Sequence, residues 1–311
     1  MNTEYQPEDI VLQREQFAYG FIIEVLTQGL YPNKFHVMRE YVQNSYDAIL
    51  KWRRSSGDSD YGQIRIKVAP RSIFIYDDGI GMDHTKVNQY RYVGYSEKRA
   101  GEGVGFRGIG KLSGISVANK LIVTSSPVGV PERYKLVFDA NKMLDHILRL
   151  KQYGENIPLN DLIRIHTNIT TEDEESSKHY TLVELFNVRT DSQELMTEEK
   201  LEEYLSMNAP VDFDPGFPYA DIVDEWLREY VLDYDTAPIY LSGNQVFKPY
   251  LQDLKPPQMH LIFDDSEQAQ LSDEEDSEHV AFYWYCEHAE KGQFDDKQKC
   301  GLRYRVKNFA V

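Results

Sequence analysis

The alternation of apolar and polar positions predicts a helix around residue 40. In the segment REYVQNSYDAIL, Glu40, Asn44 and Asp47 are four and three residues apart. At 3.6 residues per turn, these three side chains project from one face of a helix. The pattern therefore predicts an amphipathic helix with two carboxylates and an amide on its polar face. Its apolar surface comes from Tyr41, Val42, Ile49 and Leu50.

A second pattern predicts a strand that ends in a tight turn. RSIFIYDDGIGMD is a short apolar, β-branched run followed by two aspartates and Gly-x-Gly, which puts Asp77 at the end of a strand. There Asp77 would accept a hydrogen bond from a donor such as an exocyclic amine. Gly79 and Gly81 permit positive φ and close approach of the backbone to a flat ring, on which Met82 would pack. The open alternative is a hairpin turn built on Asp-Gly.

Glycine is concentrated in the segment GYSEKRAGEGVGFRGIGKLSG. At this density, backbone amides can wrap around a phosphate chain. The segment continues into KLSGISVAN, which we expect to begin a helix whose positive dipole end would also favour phosphate. The glycines concerned are Gly94, Gly101, Gly103, Gly105, Gly108, Gly110 and Gly114.

Two partial motifs inside the glycine-rich segment are weak by themselves. Gly103-x-Gly105-x-x-Gly108 matches the dinucleotide fingerprint, but no strand leads into it. Gly105 to Lys111 nearly spells a P-loop, yet Leu112 follows and has no hydroxyl for Mg²⁺. Neither motif decides the kind of nucleotide site.

The polar face of the first helix suits water activation beside a metal ion. A carboxylate can act as a general base on water, and an amide oxygen is a suitable ligand for Mg²⁺, which prefers hard oxygen ligands and keeps several waters. The alternative is that Glu40, Asn44 and Asp47 are solvated residues on an ordinary amphipathic helix.

The three segments, in this order, resemble the nucleotide-binding domain of the GHKL family, which has the Bergerat fold. DNA gyrase, the ninety-kilodalton heat-shock chaperone, sensor histidine kinases and mismatch-repair MutL share this domain. The match extends to EQFAYGFIIEVLTQGLYPNKFHVMREYVQNSYDAI, which resembles the opening two helices of the chaperone branch, and to HYTLVELFNV, which resembles the late strand that presents Thr181 beneath the adenine. It covers roughly residues 14–190. The resemblance implies an α+β fold with a two-layer α/β sandwich.

The resemblance also implies a role for each matching residue. Glu40 would be the base that activates the attacking water, and Asn44 would be the Mg²⁺ ligand. Asp77 would read the adenine amine. The other residues around the base would be Asp47, Gly79, Gly81, Met82 and Thr181. The residues that hold the triphosphate, chiefly through main-chain amides, would be Gly105, Arg107, Gly108, Ile109, Gly110 and Lys111. The extra glycines Gly101 and Gly103 leave open which amides contact phosphate.

The pattern predicts two domains, at 1–208 and 209–311. The resemblance implies that the first is the ATP-binding domain and that the second is a transducer-like α+β segment. EEKLEEYLSMNAP is typical of a polar helix that ends before Pro210, and a Pro-rich connector follows. APIYLSGNQVFKPY, HVAFYWYCEH and GLRYRVKNFAV are strand-like, the last with strict alternation. Because this second domain looks incomplete, we expect the chain to be a truncated piece of a longer protein.

Composition narrows the possible partners. The net charge is −17, with 51 acidic and 34 basic residues, and this disfavours nucleic acid as a partner, since DNA binding rests on Lys and Arg. No apolar run approaches the 18 or so residues of a membrane span, and no signal peptide is recognisable, so a cytoplasmic location is expected. Cys286 and Cys300 lack metal-ligand spacing; a lone disulfide stays open.

The sequence favours an ATP-driven conformational switch of the chaperone-like branch. In this interpretation an Mg-dependent ATPase closes its lid over ATP and forms a homodimer, with slow hydrolysis in this fragment. The alternatives are a nucleotide-gated binding or scaffold module with little turnover, and the ATPase part of a larger defence or DNA-processing protein. A histidine kinase is disfavoured. Those kinases carry a phosphoacceptor histidine on a helix before this domain, whereas the 13 residues that precede the matching segment contain no His. The protein client is not predictable from the fold.

Overall fold

The structure, a computed structural model, describes residues 33–92, 110–231, 234–250, 259–264, 283–288, 305–306 and 308–310. The predicted phosphate contacts Gly105, Arg107, Gly108 and Ile109 lie outside these residues, whereas Gly110 and Lys111 lie within them. The chain divides into two compact units. The first contains the described residues up to Glu202 together with Ile239–Gln245, and the second contains Glu203–Pro238 and the described residues from Val246 onward.

An eight-stranded sheet forms the first unit. Its strands are β1 (Ile64–Ala69), β2 (Ser72–Asp77), β3 (Ala118–Ser126), β4 (Glu132–Asp139), β5 (Thr167–Asp173), β6 (Tyr180–Val188), β7 (Ile239–Leu241) and β8 (Asn244–Val246). The order across the sheet is β5-β4-β3-β6-β2-β1-β7-β8. The pairs from β5 to β1 are antiparallel, and β7 runs parallel to β1. This order puts β2 and β3 on either side of β6.

The helices of the described residues are α1 (His36–Ser56), α2 (His84–Tyr90), α3 (Ala140–Gln152), α4 (Leu159–Ile165), α5 (Glu198–Asn208) and α6 (Ala220–Tyr230). Two 3₁₀ helices, Gly110–Ser116 and Thr190–Met196, connect them to strands. None of the helices in the described segments combines the length and apolar character that a bilayer crossing requires.

The core of the first unit lies between α1 and one face of the sheet. On β2, Ile73 and Ile75 are fully buried and pair with Leu185 and Val183 of β6. Alternate residues of a strand point to opposite faces of the sheet. Asp77, two residues beyond Ile75, therefore lies on the same buried face as Ile73 and Ile75. The residues of α1 that are buried recur at helical spacing and are Val37, Met38, Tyr41, Val42, Gln43, Ser45, Tyr46, Ile49 and Arg53.

The structure confirms two of the predicted elements and corrects a third. The helix that carries Glu40 and the strand that ends at Asp77 are present as α1 and β2. The predicted helix start at KLSGISVAN is wrong, because a seven-residue 3₁₀ helix leads directly into β3. Gly110 and Gly114 weaken an α-helix, and the β-branched Val117 begins a run that suits a strand. The expected contribution of an α-helix dipole to phosphate binding at this segment is therefore not supported.

The second unit contains its own small core, of Phe213, Phe217 and Val223. Lys248 is 3% exposed there; its Nζ donates to the Val211 carbonyl and lies 4.3 Å from the ring centroid of Phe213. Two further strand pairs are described, and they are β9 (Met259–Asp264) with β10 (Tyr283–His288) and β11 (Arg305–Val306) with β12 (Phe309–Ala310). The transducer-like assignment of 209–311 stays a prediction.

The predicted single strand at GLRYRVKNFAV is wrong for its described residues, which form the short hairpin β11–β12. Asn308 adopts φ 64° at the turn, and its side-chain amide donates to the Asp235 carbonyl. The guanidinium of Arg305 donates to the carbonyl groups of Met207 and Asn308. The alternation of apolar and polar residues thus does not correspond to one continuous strand, and side-chain hydrogen bonds of Arg305 and Asn308 hold the hairpin.

Candidate functional site

The polar face of α1 meets the end of the glycine-rich segment. Glu40 and Asp47 are half-buried, whereas Asn44 is exposed. The carboxylate of Glu40 lies so close to Gly110 that a Cβ at this glycine would overlap Oε2. The structure therefore brings Glu40 together with one of the six predicted triphosphate contacts. Only a residue without a side chain allows this approach.

Asp77 is a buried carboxyl at the end of β2. It is 3% exposed, and its Oδ1 accepts a hydrogen bond from the Gly79 amide at 3.1 Å. Burial raises the pKa of Asp77 to about 7, and the charge of Asp78 adds to this increase. Hydrogen bonds from the Ser45 hydroxyl and from the Gly79 and Thr181 amides act in the opposite direction. Asp77 therefore titrates near neutral pH.

The turn after Asp77 is held between α1 and β3. The Ile80 amide donates to the Ala48 carbonyl at 3.2 Å, and a Cβ at Gly79 would lie 2.6 Å from the carbonyl carbon of Ala48. Gly81 has φ 69°, and a Cβ there would overlap the Ser126 carbonyl oxygen. Both glycines are thus needed for the backbone path, and the predicted base-binding turn is fixed against the helix that carries Glu40.

A row of polar side chains crosses three strands beside this turn. Thr181 of β6 lies directly opposite Asp77 of β2 on one side and opposite Ser125 of β3 on the other. The hydroxyl oxygens of Ser125 and Thr181 are 3.0 Å apart, and the Met82 amide donates to Ser125 Oγ at 2.8 Å. Directly opposed residues share a face of the sheet, so this row faces α1 together with Asp77.

Lys111 is anchored by two tyrosines that sequence reasoning did not assign to the site. The hydroxyl groups of Tyr41 and Tyr90 donate to the Lys111 carbonyl at 3.2 and 3.0 Å, and the Gly114 amide donates to the Tyr41 hydroxyl at 2.8 Å. The Lys111 Nζ donates to the Gln89 carbonyl at 3.2 Å. Burial lowers the pKa of Lys111 to about 8. Tyr41 is therefore more than apolar surface, because its hydroxyl holds the end of the glycine-rich segment.

His179 is a second contact that the sequence did not reveal. Its Nδ1 lies 2.8 Å from the Gly79 carbonyl oxygen, and its ring packs on Trp52 of α1 with centroids 4.2 Å apart. Its Nε2 is 3.4 Å from the Tyr61 hydroxyl. His179 and Gly79 are 100 residues apart, so no local spacing indicates this pair. Ser125 was missed for the same reason.

A cavity of about 490 Å³ adjoins this region but contains none of the predicted nucleotide contacts. His179 and Asp78 line this cavity. Asp78 follows Asp77 in the sequence, and His179 precedes Tyr180, whose carbonyl accepts a hydrogen bond from Ser125. Its remaining lining residues are Tyr61, Tyr76, Glu174, Ser177, Lys178 and Tyr180. The candidate site is therefore defined by the row and the turn, and not by this cavity.

The side chains present suit Mg-ATP. Asp77 offers a buried acceptor at the end of β2, and Gly79 and Gly81 let the turn after it pack closely against Ala48 and Ser126. Within the described segments no group of three or more His, Cys, Asp or Glu is arranged to hold a metal ion. That does not count against Mg²⁺, which is commonly held by one or two protein oxygens together with substrate phosphates. The exposed amide of Asn44 can supply such an oxygen.

Comparison with known proteins finds similarity to one family of ATPases. The family model for histidine kinase-, DNA gyrase B- and HSP90-like ATPases matches residues 33–153. The chain is also similar to the chaperone protein HtpG of Rickettsia canadensis (strain McKiel), with 28% identity over 152 residues. The aligned stretch is 42% of this chain and 24% of HtpG, so the match spans about a quarter of that relative.

The matched residues include α1, β2, the glycine-rich segment, and β3 and β4 of the sheet. The mixed α+β architecture, with an eight-stranded sheet and helices, is consistent with the GHKL ATPase fold. Residues 33–153 are thus similar to a GHKL-type ATPase domain, and the similarity to HtpG points to the HSP90-like branch.

Proposed function

We propose that this domain binds Mg-ATP between α1 and the sheet and hydrolyses it with Glu40 as the general base. The observation that carries the proposal is that one helix reaches both ends of the candidate site. Glu40 adjoins Gly110, and Ala48, eight residues later, holds the turn at Gly79 and Ile80. Eight residues extend about 12 Å along a helix, so a single rigid element sets the separation of the two ends.

Each residue then has a defined task. Asp77 accepts a hydrogen bond from the adenine amine, with Thr181 beside it in the adjacent strand. Asn44 holds Mg²⁺, which neutralises phosphate charge. Glu40 takes a proton from the attacking water. Asp47, Gly81 and Met82 complete the side of the site that holds the base.

The phosphates would be held by the segment from Gly105 to Lys111, as the family resemblance implies. Gly110 and Lys111 are the described members of this set, and the tyrosine contacts to the Lys111 carbonyl support a fixed end for the segment. Lys111 adds positive charge near neutral pH, since its lowered pKa of about 8 still leaves it mostly protonated.

We further propose a chaperone-like switch, in which the glycine-rich lid closes over ATP and two copies of the chain associate. The similarity to a protein named as a chaperone and the location of the glycine-rich residues between α2 and a tethered Lys111 support it. A cytoplasmic location stays a prediction from the sequence.

Glu40→Ala tests the catalytic part of this proposal. We expect the rate of hydrolysis at saturating ATP to fall about 10²- to 10⁴-fold, because general-base catalysis contributes that much, while ATP affinity stays nearly unchanged. Turnover and calorimetric affinity are measured on the same preparation. A normal rate in the variant would contradict the role of Glu40.

Glu184→Ala is the matched control. Glu184 is also half-buried, but it pairs with Phe74 and Ile122 and so lies on the opposite face of the sheet from Asp77. This variant should keep both turnover and affinity. If wild-type protein binds Mg-ATP without measurable turnover, the binding-module alternative is favoured over the ATPase.

A further inference from the structure

Ser125 is a completely buried residue whose side chain contacts three groups at the candidate base site. Its Oγ is 2.8 Å from the Met82 amide nitrogen, 2.9 Å from the Tyr180 carbonyl oxygen and 3.0 Å from Thr181 Oγ1. Ser125 lies outside the segments that carry the family resemblance. These three contacts together determine where its single proton lies.

The proton count leaves one arrangement. A serine hydroxyl has one proton to donate and two lone pairs that accept. The Met82 amide can only donate, so Ser125 accepts there; the Tyr180 carbonyl can only accept, so Ser125 gives its proton there. The contact with Thr181 then needs its proton from Thr181. Ser125 thereby satisfies both its lone pairs and its donor.

This arrangement fixes the direction of the hydroxyl proton of Thr181. Because its one proton points to Ser125, the hydroxyl of Thr181 can offer only lone pairs to anything else. Asp77 lies directly opposite Thr181 on the same face of the sheet, and its carboxylate is likewise an acceptor. The row therefore presents two adjacent acceptors to a bound ligand.

We propose that Ser125 is a positioning residue that sets base specificity by fixing the direction of the Thr181 hydroxyl. Two adjacent acceptors favour a purine with an amino group at position six, which donates, and disfavour one with a carbonyl there, which accepts. This inference rests on the proposed nucleotide site, and it adds a residue that acts on the base through Thr181 without touching it.

The neighbouring Ser126 provides a matched control. It is also completely buried on β3, but its Oγ donates to the Lys178 carbonyl at 3.1 Å, outside the row. Ser126→Ala therefore removes a buried hydroxyl of the same kind, one position away, without changing the proton on Thr181. The backbone carbonyl of Ser126, which packs against Gly81, is retained.

The experiment compares the affinities of ATP and GTP by calorimetry in wild-type protein and in Ser125→Ala, Ser126→Ala, Thr181→Val and the Ser125→Ala/Thr181→Val double variant. In Ser125→Ala the Thr181 proton is free to turn toward a carbonyl, so the ATP:GTP affinity ratio should fall about five- to tenfold, the value of one neutral hydrogen bond. The Met82 amide also loses its acceptor in this variant. This loss should lower the affinities for ATP and GTP equally and so leave their ratio unchanged. Ser126→Ala should keep the wild-type ratio.

The double variant separates action through Thr181 from a general structural effect. If Ser125 acts through Thr181, the double variant should have the same ratio as Thr181→Val alone. Ser125→Thr keeps a hydroxyl and should restore part of the discrimination. Thermal unfolding verifies that each variant is folded, and if Ser125→Ala does not fold, Thr181→Val must still lower the ratio.

The possible outcomes separate this inference from the proposed function. An unchanged ratio in folded Ser125→Ala or in Thr181→Val, with wild-type protein that prefers ATP, would overturn the role of Ser125 and leave the ATPase intact. Wild-type protein that binds no ATP would overturn the proposed function itself.

Discussion

At the scale of single residues, the charge state of Asp77 is the most informative property of the site. Its pKa is raised from 3.8 to about 7, chiefly by burial. In the pH range between these values the folded protein keeps a proton that the unfolded chain has lost, so this group makes folding less favourable as pH rises toward 7. A ligand amine that donates to the carboxylate favours its ionised form and so lowers its pKa.

ATP affinity should therefore weaken as pH falls below 7. With a pKa of about 7, roughly one-tenth of Asp77 is ionised at pH 6, so affinity should fall by up to about tenfold between pH 8 and pH 6. Asp77→Asn should bind ATP roughly tenfold or more weakly, since its amide turns a donor toward the ligand amine, and should lose this pH dependence. Calorimetry in two buffers measures affinity and proton exchange together.

Asp83→Asn is the control for this pH experiment. Asp83 is an exposed carboxylate that caps α2 by accepting from the Lys86 amide at 2.8 Å. Its replacement should leave the pH dependence of binding in place. A pH profile in Asp77→Asn that still matches wild-type protein would show that the titrating group is the nucleotide phosphate or another residue.

At the scale of secondary-structure elements, the sequence predicts α1 and β2 because each follows a strong period. The 3.6-residue period puts Glu40, Asn44 and Asp47 on one face, and the apolar run leads to Asp77. The 3₁₀ helix at Gly110–Ser116 follows no such period, because glycine and serine carry little directional signal. Contacts such as Ser125 with Thr181 depend on strand register, which single-sequence patterns do not specify.

His179 joins three elements at the base-binding turn, and a variant should reveal its contribution. Since the Gly79 carbonyl can only accept, His179 Nδ1 donates. His179→Phe keeps a ring against Trp52 but loses this donor, so the affinities of ATP and ADP should both fall about five- to tenfold. The turnover of bound ATP should change little, because Glu40 lies at the other end of the site.

His179→Asn should recover much of this affinity, because its side-chain amide can donate from a position close to that of Nδ1. Tyr61→Phe is the control, since it removes only a long contact of 3.4 Å to Nε2 and keeps the ring. Separate measurements of affinity and turnover distinguish a role of His179 in holding the Gly79 turn from a catalytic role. If His179→Phe lowered turnover at saturating ATP and left the affinity unchanged, His179 would not act by holding the Gly79 turn.

At the scale of the whole molecule, acidity bears on association. Each chain carries a net charge of −17, so two copies repel one another at low ionic strength. Any dimer formed on ATP binding must overcome this repulsion. Salt screens exposed charges with a Debye length of about 8 Å at physiological ionic strength, so added salt should favour the dimer.

The Glu40→Ala variant offers the clearest test of ATP-dependent association. If lid closure over intact ATP drives dimerisation, blocking hydrolysis should make the closed state accumulate. We therefore expect light scattering to detect more dimer with Mg-ATP in Glu40→Ala than in wild-type protein, and little with Mg-ADP. Raising the salt concentration from 0.05 to about 0.2 M should increase the dimer fraction, since screening weakens the repulsion.

Glu40→Ala combined with Asp77→Asn is the control for nucleotide binding, and it should form less dimer than Glu40→Ala at an ATP concentration that only just saturates the single variant. The single variant must be compared at equal protein concentration, because association depends on mass action. A Glu40→Ala protein that binds Mg-ATP with full affinity yet stays monomeric at both salt concentrations would remove dimerisation from the proposed switch. The ATP site would then act within one chain, with Asp77 and Glu40 still at its two ends.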